Sequence, residues 1–235
     1  MRPLPPAAVL IALAVAITSA RGPSTTAAAA NPPHPLAALS YEGGGETSDA
    51  VTIDRYGRAA ATARDRRVTA QFDRAALESL CPHLYDGTLR TLAQSRLDSE
   101  VGSLAGVVGL AEMPGGDRCR LTLPSQRGTF VIALDSPAIL ARRMAGRSEQ
   151  VAAFEAVRQD LERLRNVVLL GGTAEATRLA EAAADAGFRV TLADLRFADL
   201  FGQDRTAHFR TADRLVMVRC CGDRIETDAF ELASP

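Results

Sequence analysis

The sequence predicts an α+β fold, and three observations carry that prediction. Strand-like runs separated by glycine-containing turns fill residues 39–72 and 119–134. Helix-period apolar stripes follow good N-caps at Asp73 and Ser148. Hydrophobic residues make up 47% of the 235 and charged residues 23%, which suffices for a packed core. The predicted layout is a small sheet-and-helix domain over 39–165, then a short Rossmann-like β-α-β appendage over 166–235.

The first 20 residues read as a signal peptide. Arg2 supplies a positive n-region, residues 7–17 (AAVLIALAVAI) an apolar core, and Thr18-Ser19-Ala20 small residues for cleavage. The run is short for a membrane span, which needs about 20 apolar residues, so any membrane contact is expected only through an uncleaved signal segment. Residues 21–38 are rich in Pro, Ala, Ser and Thr and read as a linker, with His34 solvated in it. The expected location is secreted or cell-surface.

From Leu39 the elements follow in order. LSYE leads into Gly43-Gly44-Gly45, residues 50–54 (AVTID) form a strand, and Arg55-Tyr56-Gly57-Arg58 a turn. The stretch to Phe72 alternates as a hairpin partner would. Asp73 caps a helix over about 74–84 carrying Leu77, Leu80 and Leu84, and a second short helix covers 88–97. Residues 99–116 read as a loop. CRLTL (119–123) and TFVIAL (129–134) form a hairpin, and Ser136-Pro137 opens another helix. Ser148 opens the clearest helix, with Val151, Phe154, Val157, Leu161 and Leu164 on one face; Gln159, Asp160, Glu162 and Arg163 point away, and Arg158 pairs with Glu162 at i,i+4.

In the order of these features, residues 39–165 resemble the emfourin-like family, small domains related to an inhibitor of a thermolysin-type metalloprotease. The resemblance rests on LSYEGGG, VTIDRYGRA, VTAQFDRAALESL and the late hairpin. It implies a non-enzymatic binding domain whose partner is an exported protease or other secreted protein. A glycine-rich loop between strands can adopt the extended, positive-φ shape that enters a narrow cleft.

The strongest chemical motif lies further on. Residues 167–170 (VVLL) read as a buried strand, Gly171-Gly172-Thr173 as a turn, 174–186 as a helix, and 188–192 (FRVTL) as a second strand followed by Asp194. Such a turn lets backbone N–H groups at a helix start hold a pyrophosphate, Asp194 would meet a ribose, and Arg196 a 2′-phosphate. In the G-x-G-x-x-G pattern, Gly171 takes the first place, Thr173 the second and Ala176 the third. The string VVLLGGTAEATRLAEAAADAGFRVTL is similar to the N-terminal segment of precorrin-6A reductase. That resemblance implies NADPH binding at Gly171, Gly172, Thr173 and Glu175. One β-α-β unit does not bury a dinucleotide, so a binding protein without cofactor is the leading expectation and an NAD(P)-binding reductase-like protein the alternative.

All 27 basic residues are arginine, against 28 acidic ones. No lysine means no Schiff base and no P-loop. A net charge of -1 and only 8 Phe and 3 Tyr argue against a nucleic-acid partner. Export would favour a disulfide, and Cys81 with Cys119 is the expected pair; Cys220 and Cys221 are adjacent, where a bond is strained. Cys81-Pro82-His83 lacks a second two-ligand cluster, so no metal is assigned. Cys221, Asp223 and His208 could be assembled into a nucleophilic site, but no activating arrangement is visible, so no catalytic residue is assigned.

Overall fold

Antiparallel pairing builds both sheets of this protein. The computed structural model describes residues 35–43, 46–63, 66–104, 118–125, 128–201 and 204–232. The first sheet begins with β1 (Pro35–Gly43) and β2 (Glu46–Asp54), then β3 (Arg58–Ala63) and β4 (Arg66–Gln71). The tight turn between β2 and β3 has a local cause. The Asp54 carboxylate Oδ1 accepts from the N–H of Tyr56 at 2.8 Å and of Arg58 at 3.0 Å. Gly57 sits there at φ +79°, and a Cβ on it would lie 2.3 Å from the Phe72 carbonyl oxygen. Gly57→Ala is therefore expected to lower stability by at least about 2 kcal/mol, read as a shifted urea midpoint. A midpoint within error of wild type would mean that the β2–β3 turn relaxes freely.

The helices α1 (Arg74–Leu80), α2 (Thr88–Thr91) and α3 (Gln94–Leu104) follow, with a 3-10 turn at Pro82–Leu84. Asp73 caps α1 as expected, accepting from Ala76 N at 2.7 Å. The hairpin of β5 (Arg118–Ser125) and β6 (Gly128–Asp135) completes a six-stranded sheet of order β4-β3-β2-β1-β5-β6. Period-two alternation puts Leu39, Val51, Ala61, Leu121 and Ile132 on one face, where all are buried. After α4 (Pro137–Arg143), helix α5 (Glu149–Leu170) covers that face with the expected stripe; Val151, Phe154, Val157, Leu161 and Leu164 are all buried. Ser148 caps α5, its Oγ accepting from Val151 N at 3.0 Å.

Helix α6 (Thr173–Asp185) leads to a meander of β7 (Leu195–Phe201), β8 (Asp204–Arg210), β9 (Arg214–Cys221) and β10 (Arg224–Glu231). Helix α5 packs on strands of both sheets, and α6 packs on β9 and β10. Pro33–Pro235 form a single unit, and the expected boundary between 165 and 166 falls inside α5. The architecture is α+β. No helix among the described residues is long and apolar enough to cross a membrane.

Several sequence expectations need correction. Residues 167–170 are not a strand but the last turn of α5. A four-residue apolar run cannot separate a buried strand from a helix end buried all round, and Val167, Val168, Leu169 and Leu170 are each 0% exposed. Gly171 closes that helix at φ +100°, with Gly172 N donating to Val167 O at 2.9 Å, a Schellman closure. Residues 188–192 join no ladder; the chain leaves α6 at Gly187 and turns at Leu192–Asp194. The Rossmann-like β-α-β unit is thus not formed. Strands β7 and β8 lie where none was expected. Residues 35–38, read as linker, belong to β1, and α3 runs into the stretch read as loop. The signal segment, most of the linker, Gly44, Gly45, residues 105–117 and the tip at 126–127 lie outside the described residues.

Candidate functional site

The end of β1 at Gly43 stands on two pinned residues. The β1–β2 ladder extends to Gly43 paired with Glu46. Immediately before Gly43, Tyr41 and Glu42 point to opposite faces of the sheet, as consecutive strand residues must. Tyr41 faces α5, and its hydroxyl donates to Glu162 Oε1. Arg158 Nη1 donates to the same oxygen. Arg158 also forks onto Glu155, with Nε to Oε2 and Nη2 to Oε1 both at 2.7 Å. On the other face, Glu42 is gripped by two arginines of β5, Arg120 at 3.1 Å and Arg118 at 3.7 Å.

The electrostatics of this cluster favour fixed protonation states. Burial raises the Tyr41 hydroxyl well above the ordinary phenol range, and the adjacent Glu162 charge raises it further. Burial opposes the charge on Arg158, but the bonds to Glu155 and the charges of Glu162 and Glu155 outweigh it and hold the guanidinium protonated. Cys119 lies opposite Tyr41 in the ladder, and burial pushes its thiol up to about 12 against the pull of Arg158. A neutral phenol, a neutral thiol and a carboxylate shared by two donors position a backbone; they do not activate a nucleophile. The sequence marked Arg158–Glu162 as a helix pair, and the structure adds Tyr41 and Glu42, whose signal was their place directly before the glycines.

A second polar cluster ties α5 to the 3-10 turn at Pro82–Leu84. Asp160, expected to face outward, is 1% exposed. Its Oδ2 accepts from His83 N at 2.8 Å and faces His83 Nδ1 at 3.0 Å, and its Oδ1 meets Arg163 Nη1 at 3.3 Å. The expected Cys81–Cys119 disulfide is absent: both are free, buried thiols. They sit at different faces of α5, Cys81 donating to Asp160 O at 3.5 Å and Cys119 lying near Arg158, Glu162 and Glu155. Among the described residues no three His, Cys, Asp or Glu side chains gather as a metal site would need.

The residues expected to hold a dinucleotide do not form one turn after a strand. Gly171 closes α5, Gly172 precedes α6 at φ +110°, and Thr173 is the first residue of α6. The Arg205 guanidinium lies against Gly171, 3.2 Å from where a Cβ would be. Glu175 is bound by Arg178 at 2.6 Å, with Arg205 at 3.7 Å. Ala176 is buried in the core. Asp194 follows no strand; its Oδ2 caps a 3-10 turn by accepting from Thr191 N at 2.8 Å and Thr191 Oγ1 at 2.9 Å. Arg196 Nη1 donates to Ala193 O at 2.9 Å. The strand-turn-helix premise of the NADPH expectation is therefore missing. Nor are His208 and Cys221 joined: His208 pairs with Met217, four residues along β9 from Cys221, or roughly 13 Å at strand rise.

Comparison with protein-family models, with characterised proteins and with solved structures finds no match to the chain.

Proposed function

We propose that the chain is an exported, non-enzymatic binding protein of the protease-inhibitor type, which offers the loop Gly43–Gly45 to the cleft of a secreted metalloprotease. The observation that supports this reading is the double anchoring of the loop's base. Tyr41 is held to α5 and Glu42 to β5 within two residues of the glycines. An inhibitory loop gains affinity when its flanks are ordered before binding, because less conformational freedom is lost on docking. Glycine in such a segment permits a close backbone approach that a Cβ would block. The same anchoring network consumes the nearby ionisable groups, as expected of a scaffold.

The test is inhibition of a panel of thermolysin-type and other secreted metalloproteases by the whole protein. We expect tight inhibition of at least one. Gly44→Val should weaken it more than about tenfold with no change in the urea midpoint. Tyr41→Phe, which loses one hydrogen bond to a carboxylate, should weaken it by about fivefold, corresponding to about 1 kcal/mol. Failure to inhibit any member, or inhibition indifferent to Gly44→Val, ends the proposal.

A further inference from the structure

The outer face of the second sheet carries a feature that the inhibitor reading leaves unused. Alternation sends Ala198, Ala207, Phe209, Val216 and Val218 inward, where all are buried. The residues between them face out. Phe197, His208 and Met217 lie side by side across β7, β8 and β9, and Leu215 and Phe230 form the next rank. Phe197 is 46% exposed and Phe230 53%. Large apolar side chains gathered on one open face mark a contact surface more often than scattered ones do.

This face is shaped as well as apolar. A groove of about 740 Å³ runs along it, lined by Phe197, His208 and Leu215, with Arg196, Arg210 and Asp194 at its rim. The Phe197 and His208 rings meet edge-to-face with centroids 5.5 Å apart. A register shift between Leu195 and Phe197 turns β7 here. Asn166 of α5 holds the shift in place, its Nδ2 donating to Arg196 O at 3.0 Å and its Oδ1 accepting from Ala198 N at 3.2 Å. The same bracket occupies the edge of β7 at Arg196 and Ala198, so a partner at this end of the sheet meets its face.

Positive charge is in excess at the rim, two guanidinium groups against one carboxylate. Among the described residues neither Arg196 nor Arg210 is ion-paired, Arg196 Nη1 donating only to the Ala193 carbonyl, and the Asp194 carboxylate accepts from Thr191. Two guanidinium groups without a carboxylate partner, beside an aromatic floor, suit carboxylates flanking an apolar side chain. A nucleic-acid strand suits it less, because the positive excess does not extend beyond the groove: the neighbouring rank carries Asp199 and Glu226 around Arg219, and Arg219 is paired with Asp228 beside Met217, so a continuous polyanion meets no basic stripe.

We propose that this groove binds an acidic peptide segment of a partner protein, an aromatic or aliphatic side chain seating against Phe197, His208 and Leu215 while flanking carboxylates meet Arg196 and Arg210. The site goes beyond the inhibitor reading, since it lies on the second sheet and uses no residue of the β1–β2 hairpin.

The chain has 3 histidines, so the His208 imidazole signals can be identified by NMR from their loss in His208→Gln. The full chain is titrated with an acetylated Glu-Leu-Phe-Glu amide, with its Gln-Leu-Phe-Gln counterpart, and with a short oligothymidylate. The acidic peptide is expected to shift His208 saturably and to bind at least about tenfold more tightly than the neutral one, as a lost charged hydrogen bond predicts. Arg210→Gln should weaken the acidic peptide by about tenfold and leave the neutral one unchanged. Phe197→Ser should weaken both. Absence of a saturable shift, equal affinity for the two peptides, or tighter binding of the oligothymidylate overturns the proposal. None of these outcomes depends on whether the protein inhibits a protease.

Discussion

Asp160→Ala is expected to lower the stability of the folded chain by about 3 kcal/mol. The aspartate is 1% exposed, accepts from His83 N and Arg163 Nη1, and faces His83 Nδ1. Truncation leaves a buried backbone N–H and a guanidinium short of a partner, and it unties α5 from the 3-10 turn beside α1. In a chain of this size the loss corresponds to a melting temperature lower by roughly 6–12 °C. Asp160→Asn keeps one oxygen but turns an NH₂ toward a donor, so about half the loss is expected. A stability change below about 1 kcal/mol in the alanine variant would show that water replaces the carboxylate.

The same residue gives a pH dependence with a definite sign. Burial raises the Asp160 carboxyl above the ordinary carboxylate range, against the opposing bonds from His83 and the charge of Arg163. The folded state therefore holds this proton more tightly than the unfolded chain does. Its contribution is fully present below the unfolded value of about 4 and is lost as pH rises through the raised folded value. In Asp160→Asn that component vanishes. The stability difference between wild type and the variant should be larger in acid than at neutral pH.

How much of this was legible in the sequence depended on whether a signal was local. Asp73 and Ser148 announced their helices because a cap acts within three residues. The β2–β3 turn and the β5–β6 hairpin were readable for the same reason. Asp160 was not, since helix periodicity assigns a charged residue to solvent and the partner that buries it is 77 residues away in sequence. The brackets made by amide side chains were equally hidden. Gln94 bonds both N and O of Ala133 on the edge strand β6, Gln150 bonds Ala93 N and Thr91 O, and Asn166 bonds Ala198 N and Arg196 O. Each side-chain amide stands in for the peptide group of a missing neighbour. A polar residue on a helix gives no hint that it will do so. For the candidate site, the glycines and the Arg158–Glu162 pair were visible separately; only the fold joined them through Tyr41.

The misread string at 167–170 leads to the other large effect: Leu169→Ala is expected to cost about 3 kcal/mol and to weaken both sheets together. Four consecutive residues are fully buried there because the end of α5 is enclosed on every side, which neither a sheet-facing helix nor a surface strand would show. With α5 lying on strands of both sheets, a cavity at its end removes contacts common to the two halves. The chain supplies separate reporters for each half. Its tyrosines, Tyr41, Tyr56 and Tyr85, all lie in or beside the first sheet, and there is no tryptophan to mask their emission. Cys220, 8% exposed, lies in the second. Tyrosine emission and mass-resolved labelling of Cys220 should show one common urea midpoint in wild type, and in Leu169→Ala both should move down by the same amount. If labelling of Cys220 shifts while the tyrosine transition stays, the two sheets unfold independently and α5 does not couple them. Coincident shifts would mean that residues 167–170 serve as a shared core, which accounts for four large apolar side chains in a row without any need for a strand or a nucleotide.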